Sequence, residues 1–179
     1  PSTKPFDLFE VERQSKVKLY VRRVFITEDS PDLLPPYLRF MKGIVDSEDL
    51  PLNISREMLQ NNPMLARMKN QIVKRVISEL AKKASGEPEE YAKFWDNLGA
   101  VLKEGLYEDY ENRDALLPLL RFRTTAKEEL SSLDDYVSRM KPGQDAIYFI
   151  TGDKLDTLAK SPQLEGFRAK GVEIMLLTD

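Results

Sequence analysis

Between Val17 and Ile26 apolar and polar residues alternate. Val17, Leu19 and Val21 interleave with Lys18, Tyr20 and Arg22, and Val24-Phe25-Ile26 closes the run. A period of two marks a strand with one buried face, so a single strand is predicted here, with Arg22 and Arg23 pointing to opposite faces. The period then lengthens. Ser30-Pro31-Asp32 opens a predicted helix with Pro31 in its first turn, a stripe of Leu33, Leu34, Tyr37, Leu38 and Met41, and an end at Gly43. Ile44 and Val45 predict a short strand, 46–54 a loop, and Ser55 the cap of a further helix. Asn62-Pro63 opens a long helix carrying Leu65, Met68, Ile72, Val76 and Leu80 on one face, with Lys82 and Lys83 in the turn before Gly86.

Gly86-Glu-Pro88 reads as a boundary. The helix after it carries Tyr91, Phe94, Trp95, Leu98 and Leu102 and is stopped by Gly105. The acidic run from Tyr107 to Glu111 reads as a solvated loop, 112–120 as helical and 121–124 as extended. Thr125-Ala-Lys-Glu128 and Ser132-Leu-Asp-Asp135 both match the capping-box pattern. Two apolar runs, 146–151 and 172–177, predict buried strands separated by helices over 153–160 and 162–170. Strand, helices, strand is a βαβ crossover, which requires a parallel pair. The pattern as a whole predicts an α/β fold of two units joined by helices, without internal repeats or low-complexity tracts.

With 179 residues, 41% of them hydrophobic and 32% charged, the chain can bury a real core beneath a charged surface. A net charge of −3 without a basic block gives no reason to expect a nucleic-acid partner. No apolar run approaches the roughly 18 residues of a membrane span. Cysteine and histidine are both absent. Their absence removes disulfides, thiolate and Ser-His-Asp catalysis and the usual zinc ligand sets, and it suits a reducing, cytoplasmic setting. The start at Pro1-Ser-Thr-Lys and the end at Asp179, directly after an apolar run, lead to the expectation of a fragment of a longer protein.

Chemistry concentrates at Arg56, directly after the Ser55 cap. A cation in the first helical turn faces the positive end of the dipole, which costs about 0.3–1 kcal/mol. An anion shared between the guanidinium and the free N–H groups reverses that balance, and phosphate is the common one. Solvation of Arg56, or pairing with Glu57 or Asp49, is the alternative. Thr151-Gly-Asp153 lies at a strand-to-helix turn, but it lacks the glycine-rich loop and lysine of a phosphate-binding loop, so Asp153 is expected as an N-cap.

The run Val17-Lys-Leu-Tyr-Val-Arg-Arg-Val-Phe-Ile-Thr27, followed by Val45-Asp-Ser-Glu-Asp-Leu-Pro-Leu-Asn-Ile-Ser-Arg-Glu-Met-Leu-Gln60, resembles the middle domain of the ninety-kilodalton heat-shock protein family, the ATP-dependent dimeric chaperones. The likeness continues through Asn70-Gln-Ile-Val-Lys-Arg75, Tyr91-Ala-Lys-Phe-Trp95, Glu108-Asp-Tyr-Glu-Asn-Arg113, Leu119-Leu-Arg-Phe122, Asp135-Tyr-Val-Ser-Arg-Met140, Ile147-Tyr-Phe-Ile-Thr-Gly152 and Glu173-Ile-Met-Leu-Leu-Thr-Asp179. It covers nearly the whole chain in the family's order, and the opening Pro5-Phe-Asp-Leu-Phe-Glu10 is closest to the bacterial members.

The resemblance implies two unequal three-layer α/β/α-type subdomains, the first truncated at its N-terminus. Residues 1–85 would be the C-terminal part of the larger subdomain, 86–112 a linking helical segment and 113–179 the smaller subdomain. It implies that Arg56 reaches the γ-phosphate of ATP held by a separate N-terminal domain, with Gln60 one turn along the same face. Asn53 and Phe25 would support the loop; the alternatives are that Asn53 only fixes a turn and that Phe25 is a core aromatic. It further implies that Tyr91, Phe94 and Trp95 edge a client-binding surface; packing between the two units is the alternative. ATP and Mg2+ would be cofactors of the parent ATPase and not of this fragment, which alone would not hydrolyse ATP. Expected partners are the parent's N-terminal ATPase domain and C-terminal dimerisation domain, client polypeptides and co-chaperones, with no nucleic acid and no membrane. Two competing functions remain open at this point: a non-enzymatic docking module in which Arg56 is only structural, and a carboxylate-dependent hydrolase, for which no paired carboxylates argue.

Overall fold

The computed structural model describes residues 16–28, 33–51 and 62–178. They form a mixed α/β fold of two compact units, Pro1–Leu116 and Leu117–Asp179, so the 86–112 segment belongs with the first unit.

The first unit holds a three-stranded sheet in the order β2-β1-β3: β1 is Lys16–Val21, β2 Val24–Thr27 and β3 Lys42–Ser47. The one strand predicted over 17–26 is therefore a hairpin. Arg22 and Arg23 do not project from a strand; they are its two-residue turn, with φ of 48° and 68°. Two central residues in the left-handed region define the turn whose twist matches an antiparallel pair, and Asn-Gly is the usual choice there. A side chain in that conformation costs roughly 1–2 kcal/mol per residue. The apolar pattern carries the sign of this turn: inward residues are odd-numbered through Val21, and a continued strand would put Arg23 in the core. β1 pairs antiparallel with β2 and parallel with β3.

The stripe at Leu33, Leu34, Tyr37 and Leu38 is buried as expected. It is built on a single 3-10 turn, Pro36–Leu38, and not on the helix predicted to run to Gly43. Consecutive prolines explain this: Pro36 forces Pro35 into extended backbone (ψ 154°), which a helix cannot pass through. Gly43 lies within β3. The long helix α1, Pro63–Gly86, starts where predicted, with the Asn62 side chain accepting from the Met64 N–H at 2.9 Å. Its most buried side chains are Leu65, Val73, Val76 and Ile77, a slightly rotated version of the predicted face.

α2, Pro88–Lys103, follows with one intervening residue and packs against α1 and the 3-10 turn. Gly105 does not stop this helix for conformational reasons. It opens a short helix, α3 (Gly105–Glu108), where an added Cβ would lie 2.8 Å from the Tyr37 ring and 2.9 Å from Leu116. Backbone here approaches a packed core too closely for any side chain. α4, Arg113–Leu116, ends the unit.

The second unit is a smaller sheet in the order β4-β6-β5, with β4 Arg123–Thr124, β5 Phe149–Thr151 and β6 Met175–Leu177. β5 and β6 are parallel, as a crossover requires, and β4 joins β6 antiparallel. α5, Leu133–Ser138, carries a complete capping box from Ser132 and Asp135. The second matching motif, at Thr125, caps nothing: its hydroxyl accepts from the Ile174 N–H at 3.0 Å instead. The crossover contains α6 (Leu155–Ala159), a 3-10 turn (Pro162–Leu164) and α7 (Glu165–Ala169). Lys154, and not Asp153, precedes α6 as its cap residue, without a side-chain bond. The 146–151 run reads as a buried strand, yet on β5, an edge strand, Phe149 is 62% exposed. The core is a cluster of Leu158, Leu164, Ile174 and Leu176.

Candidate functional site

Arg56, Asn53 and Gln60 lie outside the described residues, but the chain is firmly held on both sides of them. Upstream, β3 delivers Ser47, whose Oγ accepts from the Leu50 N–H at 3.3 Å, and Leu50 itself is buried. Downstream, Asn62 caps α1 and Leu65 is buried. The motif is thus bracketed by two anchored points of the first unit.

The hairpin tip sits over the upstream anchor. The Arg22 N–H donates to the Ser47 carbonyl at 3.0 Å, Arg22 Nε to the Glu48 carbonyl at 3.2 Å, and the Arg23 N–H to Asp46 Oδ1 at 3.2 Å. Arg22, Arg23, Asp46, Glu48 and Asp49 line a cavity of about 550 Å³ here. Asp46 and Glu48 were not singled out by sequence reasoning, since nothing in their spacing points back to a turn more than twenty residues earlier. The usable signal is that a strand continued past Val21 would carry Arg23 to the buried face.

Phe25 lies on β2, half-exposed, with its ring edge-on to Tyr20 at a centroid distance of 5.6 Å. It is not a core aromatic. Tyr91, Phe94 and Trp95 are the reverse case, all buried. Phe94 meets Phe40 edge-on at 5.6 Å, and Tyr91 packs on both Phe94 and Trp95. They pack within the first unit, so the exposed aromatic edge anticipated on this helix is absent.

Two polar clusters hold the first unit together. Arg39 is buried and forms a two-bond pair with Glu104, Nη1 to Oε2 at 2.7 Å and Nη2 to Oε1 at 3.0 Å; Nη1 also donates to the Pro36 carbonyl at 2.9 Å. The Tyr37 hydroxyl donates to Asp109 Oδ2 at 2.7 Å. Burial, reinforced by the Asp109 carboxylate, pushes the Tyr37 phenol far above its ordinary value, so it stays a donor at any working pH. Asp109 also receives the Asn112 side chain and is half-buried, so within the acidic 107–111 run it alone is drawn inward, while Tyr107, Glu108, Tyr110 and Glu111 are exposed as the solvated-loop reading expects.

In the second unit Arg139 forms the equivalent two-bond pair with Glu173, at 2.7 and 2.9 Å, and reaches Ser131 Oγ. Burial would raise the Glu173 carboxyl, but bonds from Arg139 and Thr124 and the charges of Arg139 and Lys127 outweigh it and hold the group below its usual range. The Tyr136 hydroxyl donates to the Glu173 carbonyl at 2.6 Å and accepts from the Tyr148 N–H and Gln144 Nε2. These side chains are spent on one another, which is a structural role. Among the described residues no group of three or more acidic side chains could hold a metal ion, and no helix is long and apolar enough to cross a membrane.

The described residues form two small α/β units, and in the first the 52–61 segment joins the end of the sheet to the long helix along the chain. The Hsp90 protein family model matches residues 1–179, and the chain belongs to that family. It is 61% identical over its whole length to the chaperone protein HtpG of Paramagnetospirillum magneticum and 59% identical to that of Wolbachia pipientis. It spans 29% and 28% of those proteins. The fold matches the middle domain of a heat shock protein of Plasmodium falciparum with a TM-score of 0.83 at 29% identity, covering all of this chain and 70% of that one.

Proposed function

We propose that this chain acts as the middle domain of an ATP-dependent cytoplasmic chaperone, in which Arg56 contacts the γ-phosphate of ATP bound by a separate N-terminal domain. The observation that supports the proposal is the 61% identity to a bacterial HtpG protein over the whole chain, together with the family-like Ser55-Arg-Glu-Met-Leu-Gln60 sequence. Arginine suits this role because it stays charged at every relevant pH and offers forked donors to phosphate oxygens. Supplied from a second domain, it stabilises charge developing in phosphoryl transfer and makes hydrolysis depend on domain closure. Gln60 and Asn53 would orient the same loop, and Phe25 would pack beside it. The nucleotide and its Mg2+ belong, in this proposal, to the N-terminal domain, and dimerisation to a C-terminal one.

Client and co-chaperone contacts form the other half of the proposal. Tyr91, Phe94 and Trp95 would have to leave the core to touch a client. The exposed apolar side chains Ile147, Tyr148, Phe149 and Phe167 of the second unit offer such a surface without rearrangement.

The test is steady-state ATP hydrolysis by the full-length protein, wild type against Arg56→Ala, with nucleotide affinity measured on both. A fall of one to several decades with affinity nearly constant is expected, since arginines supplied to phosphoryl transfer are worth roughly 10³–10⁵ in rate. Unchanged turnover would leave Arg56 structural and the domain a docking module.

A further inference from the structure

We propose that the Arg22–Arg23 turn is a positioning device for the catalytic segment: it clamps Asp46, Ser47 and Glu48, from which the chain continues through Leu50 to Arg56. The proposal rests on the reading of Arg56 as the phosphate-contacting residue and extends it to residues that never touch phosphate.

The clamp consists of three bonds with different origins. The Arg22 N–H to the Ser47 carbonyl continues the β1–β3 pairing one step past Val21. The Arg22 Nε bond to Glu48 and the Arg23 N–H bond to Asp46 Oδ1 come from the left-handed turn, which folds the chain back beside the end of β3. Asn-Gly would make the same turn with less strain, but it would lack the guanidinium that reaches Glu48. Strained non-glycine backbone persists where surrounding structure over-determines it, and what determines it here is the anchored 46–50 segment.

That segment is then tied along nearly its whole length. Asp46 is held by its side chain, Ser47 by its carbonyl and hydroxyl, Glu48 by its carbonyl, and Leu50 by its amide and its buried side chain. Only the residues from Pro51 to Ser55 separate this anchor from Arg56. Extended chain spans at most about 3.6 Å per residue, so the anchor limits how far from the end of β3 Arg56 can lie. The cavity beneath the tip places Asp46, Glu48 and Asp49 against two arginines. Three carboxylates make it a poor phosphate site, which favours holding the loop over binding the anion.

Asp46 gives the cleanest test, because its side chain is exposed and its acceptor serves the Arg23 amide. In the full-length protein, Asp46→Ala removes that acceptor, whereas Asp46→Asn keeps a carbonyl oxygen and removes only the charge. Turnover, nucleotide affinity and amide hydrogen exchange over 46–50 are measured on each variant, alone and combined with Arg56→Ala. Asp46→Ala is expected to slow turnover about 3- to 30-fold at constant affinity, within the roughly 100-fold that an ångström of misplacement can cost. Exchange over 46–50 should quicken, Asp46→Asn should restore both, and Asp46→Ala should slow Arg56→Ala no further. Unchanged turnover, failure of asparagine to rescue, or an effect that persists in full on the Arg56→Ala background would overturn the proposal. If Arg56→Ala itself leaves turnover intact, the reading of Arg56 is what fails. Exchange over 46–50 then decides the clamp alone: faster in Asp46→Ala and restored by Asp46→Asn supports it, unchanged refutes it.

Discussion

Removing Glu104 should be one of the most damaging single changes available to the first unit. The Arg39 side chain is 1% exposed and that of Glu104 24%, so Glu104→Ala leaves a guanidinium buried, charged and without its carboxylate. Breaking a buried pair from one side costs about 3–5 kcal/mol. The surviving bond from Nη1 to the Pro36 carbonyl places the expected loss at the lower end, near 3 kcal/mol. Trp95, the chain's single tryptophan, is buried in the same unit and reports its unfolding by fluorescence. With a urea dependence of roughly 2 kcal/mol per molar for a chain of this size, the midpoint should fall by about 1.5 M. Arg39→Met combined with Glu104→Ala should recover much of that loss, because no buried charge remains and the Pro36 carbonyl still accepts the residue 39 amide. A loss under about 1 kcal/mol for Glu104→Ala, or a double variant weaker than the single one, would refute the assignment of this pair as a desolvated couple.

Gly105→Ala should cost about 1–3 kcal/mol by overpacking against the fully buried Tyr37 and Leu116, read as a lower urea midpoint of Trp95 fluorescence. Glu173 gives the second unit a pH dependence of known sign. Its folded carboxyl lies below the ordinary value of 4.5, so as pH falls the unfolded chain takes up the proton first. Its contribution is complete above that value and fades as pH drops through the depressed folded value. Glu173→Gln should therefore flatten the acid limb of unfolding, followed at the Ile174 methyl signals, while Asp135, held down by its bonds from Ser132, keeps a residual slope. An unaltered acid limb would show that the Arg139 pair is not what couples this unit to protons.

Much of the fold is legible in residue pattern, and the failures have identifiable causes. The start of α1 could be read because Asn62 and Pro63 act locally: one side chain reaches two residues on, and one ring sets one dihedral. The Ser132 capping box is equally local. The Thr125 motif has the same spacing, but its hydroxyl is taken by Ile174, forty-nine positions away, and no local rule weighs that competition. The hairpin at Arg22 was hidden because neither residue is one that turns prefer, and its bonds to Asp46, Ser47 and Glu48 are made across the sheet. Aromatic residues at helical spacing could not reveal whether they faced solvent. Phe40, which packs against Phe94, lies on a segment whose path depends on the Pro35-Pro36 break. At Arg56 the position after the Ser55 cap suggests an anion but does not say which, and the proposed phosphate role adds the family resemblance, since the chemistry it would serve lies in another domain.

The two sheets place their central strands at opposite ends of the sequence. Among the described residues of the first unit the middle strand, β1, comes before the β2 and β3 that flank it. In the second unit the middle strand is β6, the last to appear, and β4 and β5 have no bonded neighbour until Met175–Leu177 arrives between them. On a ribosome, where chains emerge at roughly 5–20 residues per second and units fold as they become complete, β2 and β3 of the first sheet each find the already made β1 to pair with. The second must wait, with two unpaired edges, for its keystone to leave the exit tunnel.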